Sequence, residues 1–486
     1  MNNNIVCGNK PFIKTISSPY KQYVYEVNTN QLYPVDRDVF DVLTGTESIN
    51  NLMVEKKIKN LQEAGKLLLF YPKKIEHQFT NQLSYYLSNG VRGITLQLTQ
   101  QCNFRCSYCI YSDNKTLNQR VHSSREMSYD TACKAIDFLF AHSRDVSQVN
   151  IGFYGGEPLL QFKLIMDIIE YVEKVYYGKK VIYNMTTNGS LLDEEKLKFL
   201  IEKDVSIMVS LDGPQKIHDK YRHFAYNGSG TYDIVLKNIN FIQAHYPDYF
   251  KKIKFSAVVD PQNNLYEINH FFKEYKTKFG TLLNLSNMTD ISLASKAYYT
   301  KEYIKTENNE LIKVILSTLG YTQEKYQSPV TQNFINELIR MQKSFNENYS
   351  FNTQSAPAGP CVPGALRLFV DVEGNFFPCE HVSETSEVMK IGNLNDGFYV
   401  DKVNTLLNVA KLTESSCRKC WAYHQCYQCA KFCDNDKTLS REMRRIECSK
   451  VKRNLQLKLK YYIMLNEVME CKNDKLKTKE GYNLSI

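Results

Sequence analysis

No stretch of this chain is apolar for the roughly 18 consecutive residues that a membrane-crossing helix needs. The first ten residues, MNNNIVCGNK, also lack the apolar segment of a secretory signal. A membrane protein is therefore not expected, and a cytoplasmic one is. Concentrated positive charge is missing too. The formal net charge is +9, but Lys and Arg are spread along the chain, and the densest stretch is a tail with Lys475, Lys477 and Lys479. Nucleic acid is thus not an expected partner, whereas a diffuse basic surface would favour an acidic peptide. No internal repeat stands out beyond an alternation of strand-like and helix-like segments, and no segment is of low complexity. What remains is a globular chain of 486 residues, 43% hydrophobic, long enough for two or three packed units.

Cysteine, by contrast, is plentiful. The 14 cysteines are not expected to pair as disulfides in a reducing compartment, where clustered thiols bind metal or do chemistry. Three stand at 102, 106 and 109 and eight lie between 361 and 448, while Cys7, Cys133 and Cys471 stand apart and read as ordinary thiols.

From Gly93 to about Asp290, the runs GITLQLTQ, QVNIGFYGG, KVIYNMTTNG, VSIMVSLDG, KIKFSAVVD and LLNLSNMTD are near-continuously apolar, as buried parallel strands are. Amphipathic stretches lie between them, so the pattern predicts βαβ units and an α/β fold. Six repeats fit a partial (β/α)6 barrel as well as a doubly wound sheet, and periodicity does not choose. Upstream, YKQYVYEVNTNQLYPV reads as two short β-prone runs around a turn. Helix-like DRDVFDVL and VEKKIKNLQEAGK follow. This is either a small hairpin-plus-helices module or an extension of the barrel. Residues 291–355 look mainly helical and polar.

The segment LTQQCNFRCSYCIYS follows directly on the first predicted strand and carries the spacing CxxxCxxC. Thiolates of Cys102, Cys106 and Cys109 can hold three irons of a 4Fe–4S cubane, which otherwise takes four cysteines. One iron then stays open, as catalytic metals keep a position for substrate. A zinc ribbon would instead show paired CxxC knuckles, and a bacterial ferredoxin CxxCxxCxxxCP. With the aromatic Tyr108 before the third cysteine, the motif resembles the signature of the radical S-adenosylmethionine (SAM) superfamily, and the resemblance spans roughly residues 93–450. It implies that the amino and carboxylate groups of SAM chelate the open iron and that reductive cleavage gives a 5′-deoxyadenosyl radical. A flavodoxin or ferredoxin would supply the electron.

Three further motifs sit at the carboxyl ends of predicted strands, where barrel folds build their sites. Gly155, Gly156 and Glu157 of YGGEP resemble the family's GGE motif, which contacts the SAM amino group. Glycines let backbone approach closely, and a carboxylate accepts from an ammonium. Asn188 of TTNG and Ser210 and Asp212 of SLDG are either contacts to the SAM ribose or carboxylate or simple turn formers. The stretch SLDGPQKIHDKYR resembles a SxDGPxxxHDxxR segment of peptide-modifying members. Arg222 is then a partner for the SAM carboxylate, or else a surface arginine, and His218 and Asp219 order the loop.

The C-terminal group is Cys361, Cys379, Cys417, Cys420, Cys426, Cys429, Cys433 and Cys448, with Gly374 five residues before Cys379. Eight thiolates suffice for two four-cysteine clusters or for two zinc sites. The pattern resembles the SPASM extension of peptide-modifying radical SAM enzymes, which implies two auxiliary 4Fe–4S clusters. The spacing around Cys426, Cys429 and Cys433 departs from the usual form. By position, Cys417, Cys420, Cys426 and Cys448 would hold the outer cluster, and Cys361, Cys379 and one or both of Cys429 and Cys433 the inner one. With three inner ligands an iron would be open to a substrate thiolate.

The N-terminal module resembles the winged-helix element that reads the leader of ribosomally made precursor peptides, binding it as an added strand. The expected organisation is a leader-recognition unit over 1–85, a radical SAM core over 93–290, a helical bridge over 291–355, a SPASM unit over 356–450 and a C-terminal helix and tail over 451–486. Recognition and chemistry are expected on separate modules. The resemblance implies a maturase of a cysteine-containing precursor peptide, with thioether cross-linking as first choice. Carbon–carbon cross-linking, epimerisation or sulfatase-type formylglycine formation are the enzyme alternatives, and a zinc-binding adaptor is the non-enzymatic one.

Overall fold

The computed structural model describes residues 11–47, 52–111, 120, 122–279, 282–287, 299–322, 326, 328–345, 354–357, 359 and 361–477. Cys7 lies outside them, as does Lys479 of the basic tail. Strands β1 (Ile13–Ser17), β2 (Gln22–Glu26) and β3 (Gln31–Val35) form an antiparallel meander, followed by helices α1 (Arg37–Thr44) and α2 (Leu52–Glu63). The sequence suggests only a hairpin here. The additional strand, IKTIS, is short and ends in polar residues, and it gains order by pairing with β2 rather than from its own composition. The β2–β3 turn places Asn30 at φ 50, a left-handed conformation that Asn tolerates.

Six strands follow: β4 (Gly93–Thr99), β5 (Gln148–Gly155), β6 (Lys180–Thr187), β7 (Ser206–Ser210), β8 (Lys254–Val259) and β9 (Leu282–Asn287). Each pairs in parallel with the next, so spatial order equals chain order. A doubly wound sheet reverses its order at a switch point. This sheet does not, and the fold is the partial (β/α)6 barrel. Helices α3 (Tyr129–Ala141), α4 (Phe162–Val175), α5 (Glu194–Glu202), α6 (Tyr232–His245) and α7 (Leu265–Phe279) connect successive strands. Helix α3 starts where Ser128 accepts from the Thr131 amide, and α5 where Asp193 accepts from the Lys196 amide, each relieving an unpaired N–H of the first turn.

The two faces of the sheet differ. Ile94, Leu96, Leu98, Ile151, Phe153, Met185, Ile207, Val209, Phe255 and Ala257 are buried and form an apolar core with the buried faces of α3 to α6. Residues of the opposite parity, Thr95, Tyr154, Thr186, Ser210 and Ser256, are half-buried and Asn184 is exposed. Ile182, Met208 and Val258 share that parity and are also half-buried, while Gln97 is buried; successive strand residues point to opposite faces, so the inner face of the barrel is of mixed polarity and partly accessible.

The cysteine-rich region continues this same sheet. Strand β10 (Leu368–Val370) pairs in parallel with β4, and β11 (Asn375–Phe377), β12 (Gly392–Asn393) and β13 (Gly397–Phe398) follow antiparallel. Helices α8 (Lys301–Thr318) and α9 (Gln332–Phe345) precede it. The last helix, α10 (Arg441–Lys477), carries Cys448 and runs unbroken across residue 450, where the sequence suggests a unit boundary. Among the described residues, no helix is long and apolar enough to cross a membrane.

The N-terminal meander is not a free module. Phe12, Ile16, Tyr23, Tyr25 and Val27 share one buried cluster with Leu338, Phe345, Cys417, Tyr423, Val451 and Leu455. Glu467 on α10, buried, accepts from Ser18 Oγ (2.5 Å) and Tyr23 OH (3.0 Å). His424 Nε2 lies 2.6 Å from the Val27 carbonyl oxygen. Deleting residues 1–85 would uncover this apolar surface and leave the buried Glu467 without the Ser18 and Tyr23 donors.

Candidate active site and thiol groups

The loop after β4 brings Cys102, Cys106 and Cys109 to the carboxyl end of the barrel. Cys106 is buried and the other two partly so. Burial raises the pKa of all three thiols, that of Cys106 to about 12 even though Arg222 stands beside it. Thiols in such surroundings ionise only against a compensating cation, which suits metal ligation.

Groups at the ends of β5, β6 and β7 hold this loop, through backbone at the first and side chains at the other two. Asn188, just past β6, donates from Nδ2 to Asn103 Oδ1 (2.8 Å), 3.9 Å from Cys102 Sγ. The backbone amides of Arg105 and Ser107 donate to the carbonyls of His223 and Tyr221. Gly155 and Gly156 permit a close crossing: a Cβ on Gly155 would lie 2.3 Å from the Thr99 carbonyl oxygen, and one on Gly156 2.1 Å from that of Gln101. The glycines thus admit the cysteine loop itself, rather than only a ligand as the sequence suggests. Glu157 is likewise engaged with the protein. Its buried carboxylate already accepts from Thr187 Oγ1 (2.7 Å), the Asn188 amide (2.7 Å) and the Leu159 amide (3.1 Å). Burial raises its pKa to about 7 against the pull of these donors. It ties β5 to β6.

Asp212, past β7, accepts from Tyr108 OH (2.6 Å), Arg222 Nε (2.8 Å) and Nη2 (3.0 Å), and the Val258 amide (2.9 Å). Burial would raise its pKa, but the adjacent Arg222 outweighs that and keeps it below the ordinary value. Arg222 is therefore neither a surface residue nor, as placed here, a free cation: it forms a bidentate buried pair whose guanidinium lies 5.4 Å from the Tyr108 ring centroid. His218 Nδ1 accepts from the Asp212 amide (3.3 Å), and Asp219 accepts from the amides of Thr231 (2.7 Å) and Tyr232 (2.9 Å). Ser210 ends β7 opposite Ser256 on the accessible face.

One buried network has no sequence signal, because its members lie far apart in the chain. Gln97 Nε2 on β4 donates to Tyr111 OH (3.0 Å) and Glu384 Oε2 (2.7 Å). Arg120 donates to Tyr111 OH (3.2 Å) and the Glu380 carbonyl (2.7 Å), its guanidinium 4.3 Å from the Phe369 ring centroid. This network links the first cysteine loop to the segment that carries Cys379.

The C-terminal thiols divide. Cys417, Cys420, Cys426 and Cys448 line one cavity together with Tyr423, Gln428 and Arg444. Cys361, Cys379 and Cys429 lie within electrostatic reach of one another, and Cys433 lies within reach of both Cys429 and Cys448. Among the described residues no three His, Cys, Asp or Glu side chains converge as they would around a single ion. Thiolates that each bind a different iron of a cubane stand farther apart than that.

Comparison with known proteins places this geometry. Residues 96–274 match the radical SAM superfamily model. An uncharacterized protein of Methanocaldococcus jannaschii is 32% identical over 157 residues, 32% of this chain, which spans 50% of that protein's length. A cysteine-type anaerobic sulfatase-maturating enzyme of Clostridium novyi is 24% identical over 343 residues, covering 68% of this chain and 84% of that one. The solved structure of native anSMEcpe with bound AdoMet superposes with a TM-score of 0.56 at 20% identity, over 78% of this chain and 99% of that one, a likeness of fold. A partial barrel with three thiols at the end of its first strand defines a radical SAM domain. Residues 96–274 accordingly form a radical SAM domain, a domain whose chemistry uses a 4Fe–4S cluster and SAM.

Proposed function

We propose that this enzyme is a cytoplasmic peptide maturase that forms thioether cross-links in a ribosomally made, cysteine-containing precursor peptide bearing a leader. Cys102, Cys106 and Cys109 hold the cluster that binds SAM. Tyr108, Gly155, Gly156, Asn188 and Ser210 surround SAM at the carboxyl end of the barrel. Glu157, Asp212 and Arg222 act by fixing that surround, since their charges already meet protein partners. When bound, cluster and SAM together supply a 5′-deoxyadenosyl radical, and a flavodoxin or ferredoxin supplies the electron.

The observation that carries the reading is the division of the C-terminal thiols into two sets joined to the barrel by one sheet. Two auxiliary clusters would fit there, the outer on Cys417, Cys420, Cys426 and Cys448, the inner on Cys361, Cys379 and a further thiol. The meander β1–β3 has edges to which a leader can add as a strand. A sulfatase-type maturase is the second reading, favoured by what the Clostridium novyi relative is named for. Yet about a fifth of this chain lies outside the match to anSMEcpe, which leaves room for leader recognition.

The test is to incubate reduced enzyme with SAM and its precursor. Mass should fall by about two hydrogens per cross-link while one alkylatable thiol is lost each time, and a reductant should not restore that thiol, since it reopens disulfides alone. A constant thiol count with falling mass would point to a carbon–carbon link instead.

A further inference from the structure

Three arginines lie within electrostatic reach of Cys109: Arg222, Arg120 and Arg105. Arg222 is ion-paired with Asp212, and Arg105 is exposed, so that solvent and salt screen its charge. Arg120 is neither paired with a carboxylate nor exposed. We propose that Arg120 sets the reduction potential of the cluster on Cys102, Cys106 and Cys109, its buried guanidinium favouring the reduced cluster over the oxidised one. This rests on the reading that those three thiols hold the cluster.

Arg120 is 2% exposed. Its Nη1 donates to Tyr111 OH (3.2 Å), and its Nη2 to the carbonyls of Glu380 (2.7 Å) and Val382 (3.4 Å). The ring centroids of Phe369, Tyr111 and Tyr154 lie 4.3, 5.5 and 5.5 Å from the guanidinium, and Nε has no hydrogen-bond partner among the described residues. Each of these partners is neutral. A buried cation held by dipoles and ring faces keeps its field, whereas the bidentate Asp212 offsets that of Arg222. The acid of the network, Glu384, accepts from Gln97 Nε2 (2.7 Å) and Gln100 Nε2 (3.2 Å). It lies within electrostatic reach of Arg120 without hydrogen-bonding to it. The link to the thiols is short: the Tyr111 amide lies 3.5 Å from Cys109 Sγ, and its hydroxyl takes the Arg120 bond. Reduction adds one electron to the cluster, from a reduced flavodoxin or ferredoxin, and forms no bond. The added negative charge is stabilised by a fixed cation in a low-dielectric surround. Removing the Arg120 charge therefore makes reduction harder, and removing the Glu384 charge makes it easier.

Redox titration of the anaerobically reconstituted full chain tests this, read by electron paramagnetic resonance on the signal that added SAM perturbs, with circular dichroism and iron content as checks on folding. Arg120→Gln should make reduction about tenfold less favourable, a midpoint lower by about 59 mV for a one-electron couple. Arg120→Lys keeps the charge and should stay near wild type, while Glu384→Gln should raise the midpoint. A merely structural disturbance would not give opposite signs at the two positions. A folded Arg120→Gln with the wild-type midpoint, an Arg120→Lys shifted as far as Arg120→Gln, or shifts of one sign at Arg120 and Glu384 would overturn the proposal. If Arg120→Gln does not fold, Glu384→Gln decides: a raised midpoint supports the proposal, and an unchanged or lowered one overturns it. A wild type with no signal that SAM perturbs would overturn the cluster reading itself, a distinct failure.

Discussion

The two thiol groups of this enzyme are built on opposite plans. Cys102, Cys106 and Cys109 stand within eight residues on one loop, and the barrel holds that loop from outside through Asn188, the Gly155–Gly156 crossing and the buried Tyr108–Asp212–Arg222 cluster. The C-terminal thiols come from several separated segments, gathered by a sheet extension, 3-10 turns and helix α10. A contiguous motif can be read by spacing and then needs the fold only to hold it. A dispersed one has no geometry until the fold supplies it, so its ligand pairing is a property of tertiary packing.

The contrast can be broken most sharply at Arg222. Arg222→Ala leaves Asp212 charged and buried without its partner, and unfolding in urea should show a loss of about 3–5 kcal/mol. The double variant Asp212→Leu, Arg222→Met should recover much of that loss, because it removes both charges. A smaller effect is expected at the crossing. In Gly156→Ala the new Cβ meets the Gln101 carbonyl, 2.1 Å away, next to Cys102. Relaxation should cost about 1–3 kcal/mol and lower iron at the first group while leaving the C-terminal irons in place. Smallest is Tyr23→Phe, which removes one hydrogen bond to Glu467. It should cost about 1 kcal/mol and leave iron content and SAM cleavage unchanged. If instead it lowers the iron bound by the C-terminal thiols, the meander supports those sites more closely than packing alone implies.

The six strands, their parallel order and the first cysteine loop are legible in the sequence because each is a local pattern: apolar runs, alternating helices, and CxxxCxxC after a strand. The partners of Glu157, Asp212 and Arg222 are not. A motif marks these charges as important, yet only the fold shows that Arg222 answers Asp212 and that Glu157 answers Thr187 and two amides. The Gln97–Tyr111–Arg120–Glu384 network spans nearly the whole core with no periodicity to betray it. The docking of β1 and β2 on α9 and α10 is likewise invisible, since an amphipathic strand does not say which helix will cover it. The extra strand β1 and the unbroken helix across residue 450 were hidden for the same reason.

The central claim is that radical chemistry starts at the first thiol group and at no other. The most direct measurement replaces Cys102, Cys106 and Cys109 together with alanine and follows iron and 5′-deoxyadenosine under reducing conditions. The account predicts a fall of about four irons per chain, with no 5′-deoxyadenosine formed and the C-terminal irons retained. Continued formation of 5′-deoxyadenosine by the triple variant would contradict it.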